Sequence, residues 1–236
     1  DRSFDVVVIA SSTPAHRDAL DWAVARRPRL VFCEKPLTSD LAAAERIVGE
    51  FDAAAVPLAV NFSRTWDSSL DVLQQLGATR SVNATYSGGI LNNASHLIDL
   101  VRRKVGALEL VWAGPVRSDG SAPFVLTSGE VTIAANVVEA SHYGRFTIDF
   151  HCERGLLRYD DSGFAPSVRR VQNDARYPGR RTLGPVTPMA SGYPPTLMRA
   201  YDHLSDHLEH GTPLASSGRT ALATQTLCTR IMEHTA

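Results

Sequence analysis

The run Phe4-Asp5-Val6-Val7-Val8-Ile9-Ala10 is apolar and β-branched without alternation. That is the pattern of a strand covered on both faces in a parallel sheet. It ends at Ser11-Ser12-Thr13-Pro14, and over residues 15–27 Ala19, Leu20, Ala23 and Val24 fall on one side of a predicted helix. Leu30-Val31-Phe32 supplies a second buried strand. Asp40 then stands at the cap of a helix with the apolar stripe Leu41, Ala44, Val48, Phe51 and Ala55, and Leu58-Ala59-Val60 forms a third strand. Three strands alternating with two such helices predict a doubly wound α/β fold with right-handed crossovers.

Beyond Asn61 the periodicity changes. A helix over 69–76 leads to a strand over 82–86, then to Gly88-Gly89 and a helix over 94–105 carrying Leu97, Ile98, Val101 and Val105. Six strands follow, over 108–112, 124–126, 131–137, 146–151, 156–159 and 168–172. Their short connections predict an open, mainly antiparallel sheet. Residues 176–195, rich in Pro, Gly and Arg, read as a long loop. Two helices close the chain over 195–210, with Leu197, Tyr201, Leu204 and Leu208, and over 219–234. The expected fold class is α/β: residues 1–60 hold the C-terminal part of a doubly wound parallel sheet, and residues 61–236 form an α/β domain with the open sheet.

Composition narrows the function. A formal net charge of −1 gives no global field toward nucleic acid or an anionic membrane, so neither is expected as a partner. No apolar run approaches the roughly 18–20 residues that cross a bilayer. Cys33, Cys152 and Cys228 are odd in number, far apart and in no metal-ligand spacing, which points to a reducing, cytoplasmic compartment. His203 and His207 have the i, i+4 spacing of a zinc pair, but Leu204 occupies the place of the zincin glutamate, and no metal is expected. A G-x-S-x-G hydrolase elbow is also missing.

Three short constellations carry candidate chemistry. Thr13-Pro14-Ala15-His16 follows the first strand, where turns at the carboxyl ends of parallel strands line a ligand crevice. The plainer reading is a capped turn with proline in the first helical turn. Glu34-Lys35-Pro36 ends the second strand; a partly desolvated lysine beside a cationic ligand would titrate lower, toward general-base range. Its alternative is a solvated lysine before a turn proline, and the proline also allows a cis peptide. In Gly88-Gly89-Ile90-Leu91-Asn92-Asn93-Ala94-Ser95-His96-Leu97-Ile98-Asp99 the glycines permit close approach to a ligand, Asn92 or Asn93 can cap the helix, and His96 can accept or donate a proton. A satisfied surface histidine is the alternative there.

In their order and separations these motifs resemble the glucose–fructose oxidoreductase, inositol dehydrogenase and MocA (Gfo/Idh/MocA) family, over most of residues 4–105. The resemblance implies the later part of a Rossmann domain binding NAD or NADP, then a substrate-binding and oligomerisation domain. It implies hydride transfer between nicotinamide and the hydroxyl or carbonyl carbon of a sugar, cyclitol or nucleotide-sugar. Ser12, Thr13, Pro14, His16, Glu34, Lys35 and Pro36 would contact the cofactor, and Asn61, Arg64, Asn92 and His96 the substrate. Lys35 and His96 would handle the proton, with Asp99 as structural support. Family members pair through the open sheet, so a homo-oligomer is expected. Asn92 stands where many members have aspartate, and an amide cannot take a proton; Ala94 replaces the usual glycine. Two further readings fit the same residues: a redox-assisted glycoside hydrolase or epimerase, and a non-catalytic sugar-binding module.

The pyrophosphate turn of a dinucleotide fold, G-x-G-x-x-G, is not found in residues 1–236, where no two glycines stand two apart. The family places that turn ahead of Asp1, so the chain reads as N-terminally incomplete. Residues 1–236 alone are expected to bind cofactor weakly, and calorimetry that recorded tight NADH binding to them would overturn this expectation.

Overall fold

The computed structural model describes residues 4–234. The chain divides into two compact units, Asp1–Trp66 with Thr196–Thr229, and Asp67–Pro195 with Arg230–Ala236. The sequence reading placed all of 61–236 in one domain. Residues 196–229 instead join the first unit, where Ala200 and Leu204 pack on one side of its sheet and Ala221 on the other.

That sheet is wholly parallel, in the order β1 (Val6–Ile9), β2 (Leu30–Glu34), β3 (Leu58–Asn61). Helices α1 (Thr13–Val24) and α2 (Leu41–Ala53) are its crossovers. Asp40 caps α2 as the sequence predicts, its carboxylate accepting from the Ala43 N–H at 2.7 Å. Residues of β2 alternate between two cores. Val31 and Cys33 join Leu20, Ile47, Val48 and Phe51 on one side. Leu30 and Phe32 meet Ala59 with Ala200 and Leu204 of α5 (Thr196–His210) on the other. A strand buried on both faces has no position for a polar side chain, which is why this segment reads as a continuous apolar run. The free side of β3 is extended by residues 216–217, where the Val60 N–H donates to the Ser216 carbonyl at 2.9 Å.

β1 departs from the sequence expectation. Val7 and Ile9 join the core on the α1 and α2 side, but Val6 is 37% and Val8 50% exposed. Among the described residues β1 pairs with β2 alone, and only its face toward α1 and α2 is covered. The β-branched run reports strand propensity; it does not report how many layers lie over the strand.

In the second unit, the segment expected to be a helix over 69–76 begins as a 3-10 turn (Ser68–Val72) and ends as the single turn α3 (Leu73–Leu76). There follow β4 (Thr79–Tyr86), a π-turn (Ile90–Ala94) and α4 (Ser95–Val105). The remaining strands are β5 (Glu109–Ala113), β6 (Phe124–Ser128), β7 (Val131–Val137), β8 (Phe146–Cys152), β9 (Gly155–Tyr159), β10 (Ser167–Asn173), β11 (Arg181–Leu183) and β12 (Thr187–Pro188). The sheet runs β11-β10-β9-β8-β4-β7-β6-β5 with β12 also on β10, and among the described residues β4 with β7 is its one parallel pairing. Strands β11 and β12 lie inside the stretch expected to be loop, as two or three residues are too few to show a period.

One face of this sheet is core, with Val82, Ile133, Ile148, Phe150, Leu157 and Tyr159 all buried. The other is polar, where Asn83 bonds His151 at 3.2 Å and Arg158 grips Asp149 through Nε and Nη2 at 2.8 and 2.6 Å. Among the described residues no helix is long and apolar enough to cross a membrane. The two-sided burial of β2 and one-sided burial of β1 have a direct consequence. Leu30→Ala is expected to cost about 2–5 kcal/mol in urea denaturation, whereas Val8→Thr is expected to change stability by less than about 0.5 kcal/mol.

Candidate functional site

In a parallel sheet all strands end on the same edge. The register here aligns Ile9 with Cys33 and Glu34 with Asn61, which brings Ser11-Ser12, Glu34-Lys35-Pro36 and Asn61 together at the carboxyl edge. Glu34 and Asn61 bond directly, the Asn61 amide donating to Oε1 at 2.6 Å. Asn61 Oδ1 is shielded from solvent and has no hydrogen-bond partner among the described residues. Such an acceptor fits a site built for a donor from a ligand.

Lys35 is half-buried beside this pair. Burial lowers the pKa of its amine; Glu34 opposes that shift, and the Arg64 guanidinium adds to it. Arg64, 7% exposed, is carried on a 3-10 turn (Ser63–Trp66) directly after β3. The Cys228 thiol also acts on Lys35, but burial pushes its own pKa up to about 12, so it contributes no counter-charge at neutral pH. The Lys35–Pro36 peptide is cis.

Ser12 occupies the N-cap position of α1, with Thr13 and Pro14 in its first turn. Ser12 and Pro14 are exposed, and the Ser12 side chain makes no capping bond. His16 differs from its expected cofactor contact. It is 1% exposed, and its ring nitrogens lie 2.8 Å from the Pro36 carbonyl and 3.0 Å from the Ser11 carbonyl. The imidazole ties two turns together and leaves no ring nitrogen for a ligand. A second tie was not expected from the sequence: Gln225, 4% exposed, donates to the Thr38 carbonyl at 2.9 Å and so holds the chain after Pro36. An isolated glutamine in an amphipathic helix gives no sequence signal of such a role.

In the second unit, Gly88 has φ +81°, a conformation that favours glycine, and starts the connection from β4 to the π-turn. Neither asparagine caps α4. The helix begins earlier than the sequence suggests, through the π-turn, whose N-cap is Gly89. Asn93 instead donates to the Ser87 carbonyl at 2.7 Å, and Asn92 is exposed. His96 stands in the first turn of α4, half-buried, with Nδ1 shielded from solvent. Asp99 is buried and holds Arg103 through two bonds of 2.6 and 3.0 Å. The two histidines at zinc-like spacing serve the loop after α5: His203 accepts from the Ala215 N–H at 2.9 Å, and His207 lies 2.7 Å from the Thr212 carbonyl.

Residues 1–62 match the GFO_IDH_MocA family, described as an oxidoreductase family with an NAD-binding Rossmann fold. A myo-inositol 2-dehydrogenase of Thermotoga maritima is 37% identical over 75 residues, which is 32% of this chain and 22% of that enzyme. The matched stretch therefore spans less than a quarter of the curated relative. The fold is shared over more of the chain. An Agrobacterium radiobacter oxidoreductase, solved with NAD+, L-tartaric acid and magnesium, superposes with a TM-score of 0.77 at 22% identity, over 99% of this chain and 78% of that one. A UDP-N-acetylglucosamine 3-dehydrogenase of Acidithiobacillus ferrooxidans gives 0.74 at 15% identity, over 98% and 78%.

The depressed pKa of Lys35 ties stability to pH. The unfolded chain binds more protons than the folded one between the folded value and the ordinary lysine value of about 10.4, so this group's contribution to stability rises with pH through that window. Lys35→Met, with no charge to bury, is expected to be most stabilised relative to the parent near pH 7. Urea titrations should show the difference shrinking as the pH climbs toward 10; a difference independent of pH would remove the burial argument.

Proposed function

We propose that the chain is a member of the Gfo/Idh/MocA oxidoreductase family, whose model residues 1–62 match, and that it transfers a hydride between NAD and the hydroxyl-bearing carbon of a sugar, cyclitol or nucleotide-sugar. The observation that carries this reading is the desolvated Lys35 amine at the carboxyl edge of the parallel sheet, flanked by Glu34 and Arg64. Burial that disfavours the charged amine moves it toward the range in which a lysine can take a proton from a reacting hydroxyl and return it in the reverse direction.

The residues at this edge fit a nicotinamide nucleotide. Asn61 Oδ1 supplies a shielded acceptor, free of protein partners among the described residues, that suits an amide N–H or ribose O–H. Ser12 and Thr13 offer hydroxyls at the start of α1, where backbone N–H groups also favour polar or anionic ligand atoms. When bound, NAD supplies the two-electron hydride acceptor. Lys35 Nζ takes the proton of the reacting hydroxyl as that carbon is oxidised. Glu34, already engaged by Asn61, keeps the amine oriented and opposes its deprotonation, while Arg64 favours the neutral amine and can bind substrate oxygens. His96, at the head of α4, is the second proton-handling group, and Asn92 is a hydrogen-bonding contact that cannot itself carry a proton. In this reading the first unit binds the cofactor, and the second binds substrate and pairs with another subunit through its polar sheet face.

Myo-inositol is the first substrate to assay, with NADH formation as the readout. In a form that turns over, Lys35→Met is expected to lower kcat by about 10²–10⁴-fold while leaving NADH affinity nearly unchanged. Unchanged turnover would remove the role given to Lys35. Product formation without NADH accumulation would instead indicate an epimerase or redox-assisted hydrolase.

A further inference from the structure

The second sheet gathers several connections at one of its ends. Tyr86 closes β4 opposite Phe146, the first residue of β8, while Tyr159 closes β9 opposite Ile148, and Pro188 of β12 lies opposite Ser167 at the start of β10. The turn after β9 and the segment after β12 therefore emerge at the same end as the Gly88 connection that leads to Asn92 and His96. A chain of contacts joins them. Asp160 accepts from the Asp161 N–H and the Thr147 hydroxyl, both at 2.7 Å, and pairs with Arg145 at 3.1 Å. The Arg145 N–H donates to Ser87 Oγ and the Ser87 N–H to the Arg145 carbonyl, each at 2.8 Å.

The turn after β9 is under backbone strain. Asp161 and Ser162 have φ +47° and +59°, a region that residues with a Cβ enter uncommonly, and Gly163 follows at +104°. Such residues persist only where their surroundings over-determine them, and they concentrate at ligand sites. The groups that hold them here are explicit. Gly163 rests on the Tyr159 hydroxyl with no room for a Cβ, and that hydroxyl donates to the buried Asp67 at 2.8 Å. Ser191 donates to the Gly163 carbonyl at 2.7 Å, and the Tyr193 N–H donates to Ser191 Oγ at 3.2 Å. Because Tyr159 belongs to the core face, the turn bends to that side, away from the polar face given to subunit pairing. What it presents is Phe164, 55% exposed, with Tyr193 in T-shaped contact at 5.2 Å between ring centroids. An edge-to-face contact covers at most one face of the Phe164 ring, so another stays open.

We propose that Phe164, steadied by Tyr193, is the wall on which the substrate lays the C–H face of a six-membered ring, as a neutral cyclitol or pyranose can and an open-chain polyol cannot. This rests on the reading that the second unit binds the substrate. The face of an aromatic ring is electron-rich and attracts C–H groups that neighbouring oxygens have left partly positive. Asp160 is matched by Arg145, whereas Asp161 adds an exposed carboxylate to the same turn, so the wall suits a neutral ring better than an anionic nucleotide-sugar.

The test is ligand-observed saturation-transfer NMR on the full chain without cofactor, titrated with scyllo-inositol, methyl β-D-glucopyranoside and, as the open-chain control, D-glucitol. Saturable binding of at least one ring compound is expected, with D-glucitol weaker. Phe164→Ala should weaken ring binding by about tenfold, the effect of losing one aromatic contact. Phe164→Trp should retain it, while Phe164→Leu, which keeps apolar bulk without a ring face, should stay weak. Tyr177→Ala changes an exposed ring in the β10–β11 connection, at the other end of β10, and should leave affinity unchanged. The proposal fails if neither ring compound binds, if D-glucitol binds as tightly, or if Phe164→Leu binds as the parent does. Failure of the hydride-transfer reading looks different. Phe164-dependent binding by a protein that forms no NADH from any of these compounds would keep the wall and remove the reaction, whereas turnover with a KM indifferent to Phe164→Ala would keep the reaction and remove the wall.

Discussion

Parallel pairing at the centre of the first unit leaves little freedom in where its chemistry can stand. Strands that run the same way finish on the same edge, and burial of β2 on both faces fixes its register against β1 and β3. A slip of one residue would send Leu30 and Phe32 toward α1 and α2, and Val31 and Cys33 toward α5, with both cores misfilled. The same register that satisfies the packing places Glu34 against Asn61 and sets Lys35 just past the last pair. Positioning of the candidate residues is therefore a by-product of hydrophobic burial, with no separate device needed to assemble them.

Polar groups inside the fold then stiffen that edge. His16 and Gln225 are almost completely buried; the His16 ring lies between the Ser11 and Pro36 carbonyls, and Gln225 donates to the Thr38 carbonyl. Buried carbonyls without donors are costly, so these side chains resist any rearrangement that would swing the Lys35 turn outward. Glu34 and Arg64 act on the lysine in opposite directions while burial dominates. The amine is thus tuned mainly by exclusion of water, and its two charged neighbours offset each other.

Much of this was legible in the chain. Three apolar residues in succession, Leu30-Val31-Phe32, could announce β2, because its environment is apolar on both faces, and Asp40 marked α2 through a local bond that needs no tertiary context. The Glu34-Lys35-Pro36 motif could be placed at a strand end for the same local reason. What escaped is information about layers and partners. Val6 and Val8 look no different from Val7, yet one face of β1 is exposed. The helix over 196–210 shows a stripe that includes Leu197 and Tyr201, but these are 48% and 42% exposed, and Ala200 with Leu204 makes the buried contact. Small residues are weak markers of a buried face, and amphipathicity names no partner. The buried contacts of His16 had no signal in the chain, because a histidine after a strand turn looks alike whether it faces a ligand or two carbonyls.

The π-turn over Ile90–Ala94 gives the second unit an unusual sensitivity to length. A π-turn holds one residue more than the α-helical turn it replaces, and each helical residue rotates the chain by about 100°. Loss of one residue between Gly89 and Ser95 could let the segment anneal into ordinary α-helix, turning His96 and Asp99 to another side while most of α4 kept its sequence. Divergence among related chains at this point would thus proceed by insertion and deletion as much as by replacement, with a single codon able to redirect a whole helical face.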